Sequence, residues 1–180
     1  KGRYPQISTV SYGDELGRYL GYRINPDDTI NLMLKDKRTN DTLTIFKGDR
    51  MDSTIVSQIQ NYQPQERPWY APARIKQITQ WSDIYVNNDE IKELAISVLT
   101  PVFNDKQFYG VVTTDISLNN INQFLKNDTK IENGIIYIAN RNHQLLMHSG
   151  DQVYKGKAVA DSSEDAFVSA LNVDNPIISA

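Results

Sequence analysis

The chain has 180 residues, a length that fits one ordinary domain or one domain with a fragment of a second. Its 39 % hydrophobic and 23 % charged residues are typical of a folded globular protein, so disorder is not the default expectation. The formal net charge is −3 and the lysines and arginines are scattered, so the sequence offers no basic face for nucleic acid.

Two further classes of feature are missing from the sequence. No cysteine occurs, which excludes disulfides, thiolate metal sites and a cysteine nucleophile. The chain also has no run of the roughly 18 consecutive apolar residues that a membrane-spanning helix needs. We therefore expect the chain as given to be soluble, as an excised soluble part of a membrane protein would also be.

The first part of the chain, from Ile7 to Lys47, contains short runs rich in β-branched and aromatic residues. These runs are residues 17–24, 29–34 and 42–46, and turn residues separate them. The pattern predicts an antiparallel meander.

The hydrophobic period changes over residues 52–61, where Ile55, Val56 and Ile59 fall on one helical face. We predict a short amphipathic helix there. Three prolines then follow at four-residue spacing, at positions 64, 68 and 72. Because proline removes a backbone donor and restricts its neighbour, the spacing predicts an ordered loop without continuous helix or strand pairing.

Residues 83–86, 94–99 and 109–116 are predicted strands, with a turn at 104–106 between the last two. Ser117 is a predicted N-cap for a helix whose apolar face contains Leu118, Ile121, Phe124 and Leu125. Helices combined with several antiparallel strands predict an α+β domain around one sheet.

The pattern restarts after Asn127, with predicted strands at 134–139 and 144–147. A capping box at 162–165 predicts a helix that runs through Leu171. We therefore divide the chain into a first module at 1–127 and the start of a second, smaller module at 128–180. About fifty residues are close to the lower limit for an independent core, so we expect the second module to be incomplete.

Three segments together resemble the double Cache sensor domains of bacterial receptors, in order and in spacing. They are residues 66–70 (ERPWY), 96–103 (ISVLTPVF) and 109–118 (YGVVTTDISL). The resemblance is strongest from Tyr62 to Leu125.

The resemblance implies a PAS-like antiparallel sheet flanked by helices, which forms a membrane-distal Cache module, plus part of a second smaller PAS-like module. Such domains are the periplasmic or extracellular parts of chemoreceptors, histidine kinases and diguanylate cyclases. The long helix that usually precedes the distal module is missing, and we therefore expect a piece of such a receptor, with its ligand pocket in the distal module.

A subset of the family senses amino acids, and its pocket pattern implies a ligand-binding role for six residues here. They are Tyr62, Arg67, Trp69, Tyr70, Tyr85 and Asp115. The sequence departs from that pattern at Asn87, where aspartate is frequent, and this weakens one contact to an ammonium group.

The chemistry of these residues suits an α-amino acid, which presents a planar carboxylate beside an ammonium group. Arg67 can hold the carboxylate through two parallel N–H bonds, and Asp115 can accept from the ammonium group. The aromatic residues can form the walls and a cation–π surface. Pro68 holds Arg67 in an extended conformation, which reduces the entropy lost on binding.

Each of these residues also has a purely structural interpretation. Arg67 beside Glu66 can be a surface ion pair, Trp69 and Tyr70 can be core aromatics, and Asp115 can be a turn carboxylate. Their joint occurrence at the family spacing favours the pocket.

Other chemistry has little support in the sequence. His143 and His148 are the only histidines and lack a third ligand at metal spacing. No glycine-rich phosphate loop and no Gly-x-Ser-x-Gly motif occurs. We expect no metal, no cofactor and no catalytic residues.

The predicted function is that of an extracytoplasmic sensor domain of a bacterial membrane receptor. It would bind a small polar ligand, most plausibly an amino acid, and transmit a conformational signal through flanking membrane segments. We expect no nucleic-acid partner. The sequence leaves open whether the chain forms a homodimer. The alternative is a structural or dimerisation module of the same fold whose pocket is closed by its own side chains.

Overall fold

The computed structural model describes residues 6–87, 94–128, 134–140, 143–149 and 168–169. The chain forms two compact units, and the boundary between them falls between Ser117 and Leu118. The boundary predicted from the sequence lies after Asn127, near the other end of the helix that begins at Leu118.

The first unit is an antiparallel sheet that contains nine strands within the described residues. They are β1 (Ile7–Asp14), β2 (Tyr19–Ile24), β3 (Ile30–Lys35), β4 (Leu43–Lys47), β5 (Ile55–Ile59), β6 (Gln80–Trp81), β7 (Tyr85–Val86), β8 (Leu94–Asn104) and β9 (Gln107–Ser117). The strand order is β5-β4-β3-β2-β1-β9-β8-β6, and β7 also pairs with β8. The unit also contains 3₁₀ turns at Lys37–Thr39 and Pro64–Glu66 and one helix, α1 (Ala71–Lys76). The PAS-like antiparallel sheet with a few helices is therefore confirmed.

The predicted meander corresponds to strands β2, β3 and β4, which pair in sequence. Turn chemistry explains the two connections. Asp28 has a φ of 62°, and Asn40 and Asp41 have φ values of 50° and 55°. Asparagine and aspartate tolerate this left-handed region better than other non-glycine residues, so they end one strand and start the next.

The predicted helix over residues 52–61 is wrong, because this segment contains strand β5. Ile55 and Ile59 are four residues apart, a spacing that places them on one face of a helix and equally on one face of a strand. Pairing with β4 decides between the two, since Leu43 lies opposite Ile59 and Ile45 lies opposite Ser57. The hydrogen bonds to β4 pair backbone groups of this segment, which is too short to be a stable helix by itself.

The proline-rich segment is a loop only in part. Residues 71–76 form α1, and Pro72 lies in its first turn, where the missing backbone donor has no partner in any case. The prediction of a loop is therefore wrong for these six residues. Gln77 ends the helix with a φ of 55°.

The second unit contains α2 (Leu118–Asp128), which confirms the predicted helix after Ser117. It also contains β10 (Tyr137–Ala139), β11 (Gln144–His148) and β12 (Val168–Ser169), which form an antiparallel sheet in the order β10-β11-β12. The helix predicted through Leu171 is wrong at Val168–Ser169, because Val168 pairs with Leu145 of β11. The rest of that predicted helix lies outside the described residues.

The main core of the first unit lies on one face of its sheet, called here the inner face. Tyr19, Met33, Ile45, Leu99 and Val111 are buried members of this core. The loop that contains the 3₁₀ turn at 64–66 contacts β1, and α1 contacts β8 and β9. The loop and helix therefore cover the inner face.

Gly13 in β1 allows the loop to approach the sheet this closely. A Cβ atom at Gly13 would lie 2.7 Å from Cη2 of Trp69 and 2.9 Å from Cβ of Pro64. Real Cβ atoms do not make such short contacts, so any larger residue here would push the loop away from the sheet.

Candidate ligand-binding site

A cavity lies between the inner face of the sheet and the loop that covers it. Its polar wall contains Thr9, Arg23, Arg67, Asn87 and Asp115. Its volume is about 30 Å³, which is room for roughly two water molecules. The other two parts of the wall are aromatic and aliphatic.

The polar wall is built by the register of the sheet. Thr9 of β1 lies opposite Arg23 of β2 on one side and Asp115 of β9 on the other. Ser97 of β8 lies opposite Asp115. Because directly opposed residues of an antiparallel pair point to the same face, these four side chains form a polar row on the inner face.

Asp115 supplies the buried carboxyl group of the site, with 6 % of its surface exposed. Ser97 Oγ donates to Asp115 Oδ1 at 2.7 Å, and Tyr85 Oη lies 2.7 Å from the same Ser97 oxygen. Since the Ser97 proton points to the carboxylate, the Tyr85 hydroxyl donates to Ser97. Burial raises the pKa of Asp115, while the Ser97 hydrogen bond and the charge of Arg23 oppose that rise.

Arg67 supplies a cation from the loop. Its φ of −78° and ψ of 146° are extended, which confirms the conformation expected for a residue before Pro68. Its Nη2 atom donates to the Val86 carbonyl at 3.0 Å. The residue is half-buried and lines the cavity.

The aromatic wall consists of Tyr19, Tyr62 and Trp69. The Tyr19 ring lies 5.4 Å from the Tyr62 ring in an edge-to-face arrangement and 6.1 Å from the Trp69 ring. Burial raises the pKa of both tyrosines, so their hydroxyl groups are neutral at physiological pH. Ring pairs at these distances stabilise one another's packing.

The structure brings four of the six predicted residues to the cavity: Tyr62, Arg67, Trp69 and Asp115. Tyr85 is not among the wall residues, and its hydroxyl lies 2.7 Å from the Ser97 oxygen that donates to Asp115. Tyr70 is fully buried elsewhere, where its hydroxyl donates to Glu15 Oε1 at 2.8 Å.

Arg23 was missed by the sequence reasoning. It is separated from the other polar residues in the chain, and the pairing with Thr9 places it beside them. The alternation in β2 contains a signal, because Tyr19, Gly21 and Arg23 share one face. A charged residue on the same face as a core tyrosine is unusual enough to indicate a site.

No group of three or more metal-ligating side chains occurs in the part of the chain that the structure describes. Among the residues that the structure describes, the cavity wall has one carboxylate and no histidine. Its two arginines and one aspartate suit an organic ligand with charged groups of both signs.

The sequence matches the family described as the first PDC sensor domain of methyl-accepting chemotaxis protein-like receptors, over residues 25–123. The match covers more than half of the chain. The chain therefore belongs to this family of sensor domains. No curated protein matches the sequence.

Solved structures of chemoreceptor domains share the fold. The ligand-binding domain of the Pseudomonas aeruginosa PAO1 amino acid chemoreceptor PctB in complex with L-Arg is 18 % identical, with a TM-score of 0.52. That match covers 79 % of this chain and 47 % of the PctB chain. The ligand-binding domain of Campylobacter jejuni chemoreceptor Tlp3 in complex with 4-methylisoleucine is 10 % identical, with a TM-score of 0.50 and coverage of 82 % and 48 %. The chain thus spans about half the length of these domains.

Across the described ranges, no helix combines the length and the apolar character that crossing a membrane requires.

Proposed function

We propose that this chain is the extracytoplasmic sensor part of a bacterial transmembrane receptor, and that its cavity binds an amino acid. The output module would be that of a chemoreceptor, histidine kinase or diguanylate cyclase, and the chain itself would have no catalytic activity. The observation that carries the proposal is that Arg67 and Asp115, 48 positions apart in the chain, line one cavity.

The two charges match the two charged groups of an α-amino acid. Arg67 would donate to the carboxylate from the loop side, and Asp115 would accept from the ammonium group on the sheet side. Trp69 and Tyr62 would enclose the ligand and shield these contacts from water. The hydrogen bonds from Tyr85 to Ser97 and from Ser97 to Asp115 would hold the carboxyl group in position.

Membership of a sensor-domain family supports the sensing role. The amino acid as ligand is supported by the chemistry of the cavity, and PctB is an amino acid chemoreceptor of the same fold. Flanking segments of the receptor would make the contact with the membrane. A movement of the loop on ligand binding would start the signal that these segments transmit.

The small volume of the cavity favours a second candidate function. At about 30 Å³, the cavity holds no amino acid unless the loop moves outward. The chain would then be a structural or dimerisation module whose pocket is closed by its own side chains.

A binding screen separates the two functions. Thermal shift with each of the twenty L-amino acids, followed by calorimetry, should identify at least one ligand. Arg67→Ala and Asp115→Asn should each weaken its binding by roughly 10- to 150-fold, because each removes a charge-assisted contact. Arg50→Ala is the matched control, since Arg50 pairs with Asp52 on the surface and both are exposed. Absence of any binding would support the structural module.

A further inference from the structure

The third part of the cavity wall is aliphatic. It contains Met33, Leu43, Ile45 and Ile59. These residues come from β3, β4 and β5, which are consecutive in the sheet and form one of its ends. Thr9 and Asp115 are in β1 and β9, on the other side of β2. The cavity therefore has a polar end and an aliphatic end along the order of the strands.

The aliphatic end is tightly packed. Met33 lies opposite Ile45, and Leu43 lies opposite Ile59, so the four side chains form two cross-strand pairs on one face. Met33, Leu43 and Ile45 are each only 3 % exposed. None of the four side chains carries a hydrogen-bonding group that can satisfy a polar ligand atom, apart from the weakly accepting sulfur of Met33.

Arg23 is in β2, between the two ends in the strand order, and it lies opposite Thr9 of the polar end. It lines the same cavity as Asp115 and Tyr62, and its positive charge lowers the pKa of both. Neither Arg23 nor Arg67 comes from the three strands that form the aliphatic end. The β3 to β5 end keeps its apolar character.

We propose that the aliphatic end receives the side chain of the ligand, and that the site selects amino acids with aliphatic or thioether side chains over polar ones. This inference depends on the proposed function, because the polar end must first hold the ammonium and carboxylate groups. A polar side chain would lose its water at the aliphatic end without gaining a hydrogen bond, whereas a methylene group would gain from burial.

Calorimetry on two ligand sets tests the inference. The first set is glycine, L-alanine, L-2-aminobutyrate, L-norvaline and L-leucine, and each added methylene should tighten binding roughly four-fold. The second set pairs ligands of similar shape, valine with threonine and leucine with asparagine. The polar member should bind at least roughly ten-fold more weakly.

A variant with a matched control tests whether the aliphatic end causes the preference for aliphatic ligands. Ile59→Ala, on the partly buried end strand, should weaken L-leucine binding several-fold and leave L-alanine binding unchanged. Val56→Ala in the same strand should change neither, since Val56 is 47 % exposed and does not line the cavity.

The possible failures are distinguishable. If the amino acids bind with equal affinity whatever their side chain, the selection is wrong and the proposed function stands. If aspartate or glutamate binds most tightly, Arg23 pairs with the ligand side chain and the selection is again wrong. If no amino acid binds, the proposed function fails and the inference fails with it.

Discussion

Ser97 and Asp115 form a buried hydrogen bond of 2.7 Å between neighbouring strands, with the serine as donor. Ser97 has no exposed surface. Because Tyr85 donates to Ser97 in turn, a chain of two hydrogen bonds leads from β7 to the cavity. This chain favours the ionised form of a carboxyl group that burial disfavours.

We predict that Ser97→Ala raises the pKa of Asp115 further. The carboxylate loses a donor, while its burial and the charges of Arg23 and Arg67 around it stay the same. The side-chain carbon signal of Asp115 in NMR, followed through a pH titration without ligand, measures the shift. The neighbouring tyrosines, Tyr19, Tyr62 and Tyr85, remain neutral over this range.

The pH dependence of ligand binding should shift in the same direction as the pKa of Asp115. Because the ammonium group needs an ionised Asp115, the acid limit of binding should move to higher pH in Ser97→Ala. Thr44→Ala is the control, since Thr44 is equally buried in β4 and its hydroxyl donates to the Thr42 carbonyl. An unchanged carboxyl titration in Ser97→Ala would contradict the prediction.

A second prediction concerns the pH dependence of stability. The folded protein raises the pKa of Asp115, so it keeps a proton that the unfolded chain loses as the pH rises. The free energy of unfolding should therefore fall from the ordinary aspartate pKa up to the raised value and then level off. In Asp115→Asn this fall should be absent. Urea unfolding of both proteins over that range isolates the effect, and parallel pH curves would show that Asp115 does not titrate in this way.

The third prediction concerns the close approach of the loop to Gly13. Gly13→Ala should destabilise the protein by about 1–3 kcal/mol, because the added methyl group overlaps Trp69 and Pro64. It should also displace Trp69 from the cavity wall. Gly110→Ala is the comparison, since its methyl group would lie 2.2 Å from the Gly13 carbonyl oxygen, and none of the three atoms nearest to it belongs to a cavity residue.

Thermal unfolding and tryptophan fluorescence separate the two variants. With exposed Trp81 replaced by phenylalanine, the emission reports Trp69 alone. Gly13→Ala should shift this emission to longer wavelength, while Gly110→Ala should lower the melting temperature with little shift. An unshifted emission in Gly13→Ala would mean that the loop accommodates the methyl group without moving Trp69.

The sequence predicted most of the strands and grouped part of the cavity wall, for reasons that particular residues make clear. Tyr62, Arg67 and Trp69 lie within eight positions in one loop, so local spacing was enough to group them. Arg23 joins them only through strand pairing. Ile55 and Ile59 satisfy both helical and strand spacing, and the partner strand decides between them. Strand pairing of this kind joins segments that are distant in the chain, so the sequence of one segment alone does not reveal it.

The last prediction decides whether Tyr70 contacts the ligand, as its place in the sequence pattern implies, or supports the fold. Its hydroxyl donates to Glu15 Oε1 at 2.8 Å, and Arg74 Nη2 lies 3.1 Å from Glu15 Oε2. Its ring packs against Trp69 and Phe108. We expect Tyr70→Phe to lower the free energy of unfolding by about 1.5 kcal/mol, since a hydrogen bond to a charged group is lost, and to leave ligand affinity unchanged.

Arg74→Ala is the control on the same carboxylate. Arg74 is largely exposed, so its loss should cost about 0–1 kcal/mol, less than the loss of the buried hydroxyl. Chemical unfolding and calorimetry on the same preparations measure both quantities. A ten-fold loss of ligand affinity in Tyr70→Phe at unchanged stability would place the Tyr70 hydroxyl on the ligand, in agreement with the sequence pattern and against the geometry of the free protein. A loss of stability with unchanged affinity would show that Tyr70 supports the loop and contacts the ligand only indirectly, through its neighbour Trp69 in the cavity wall.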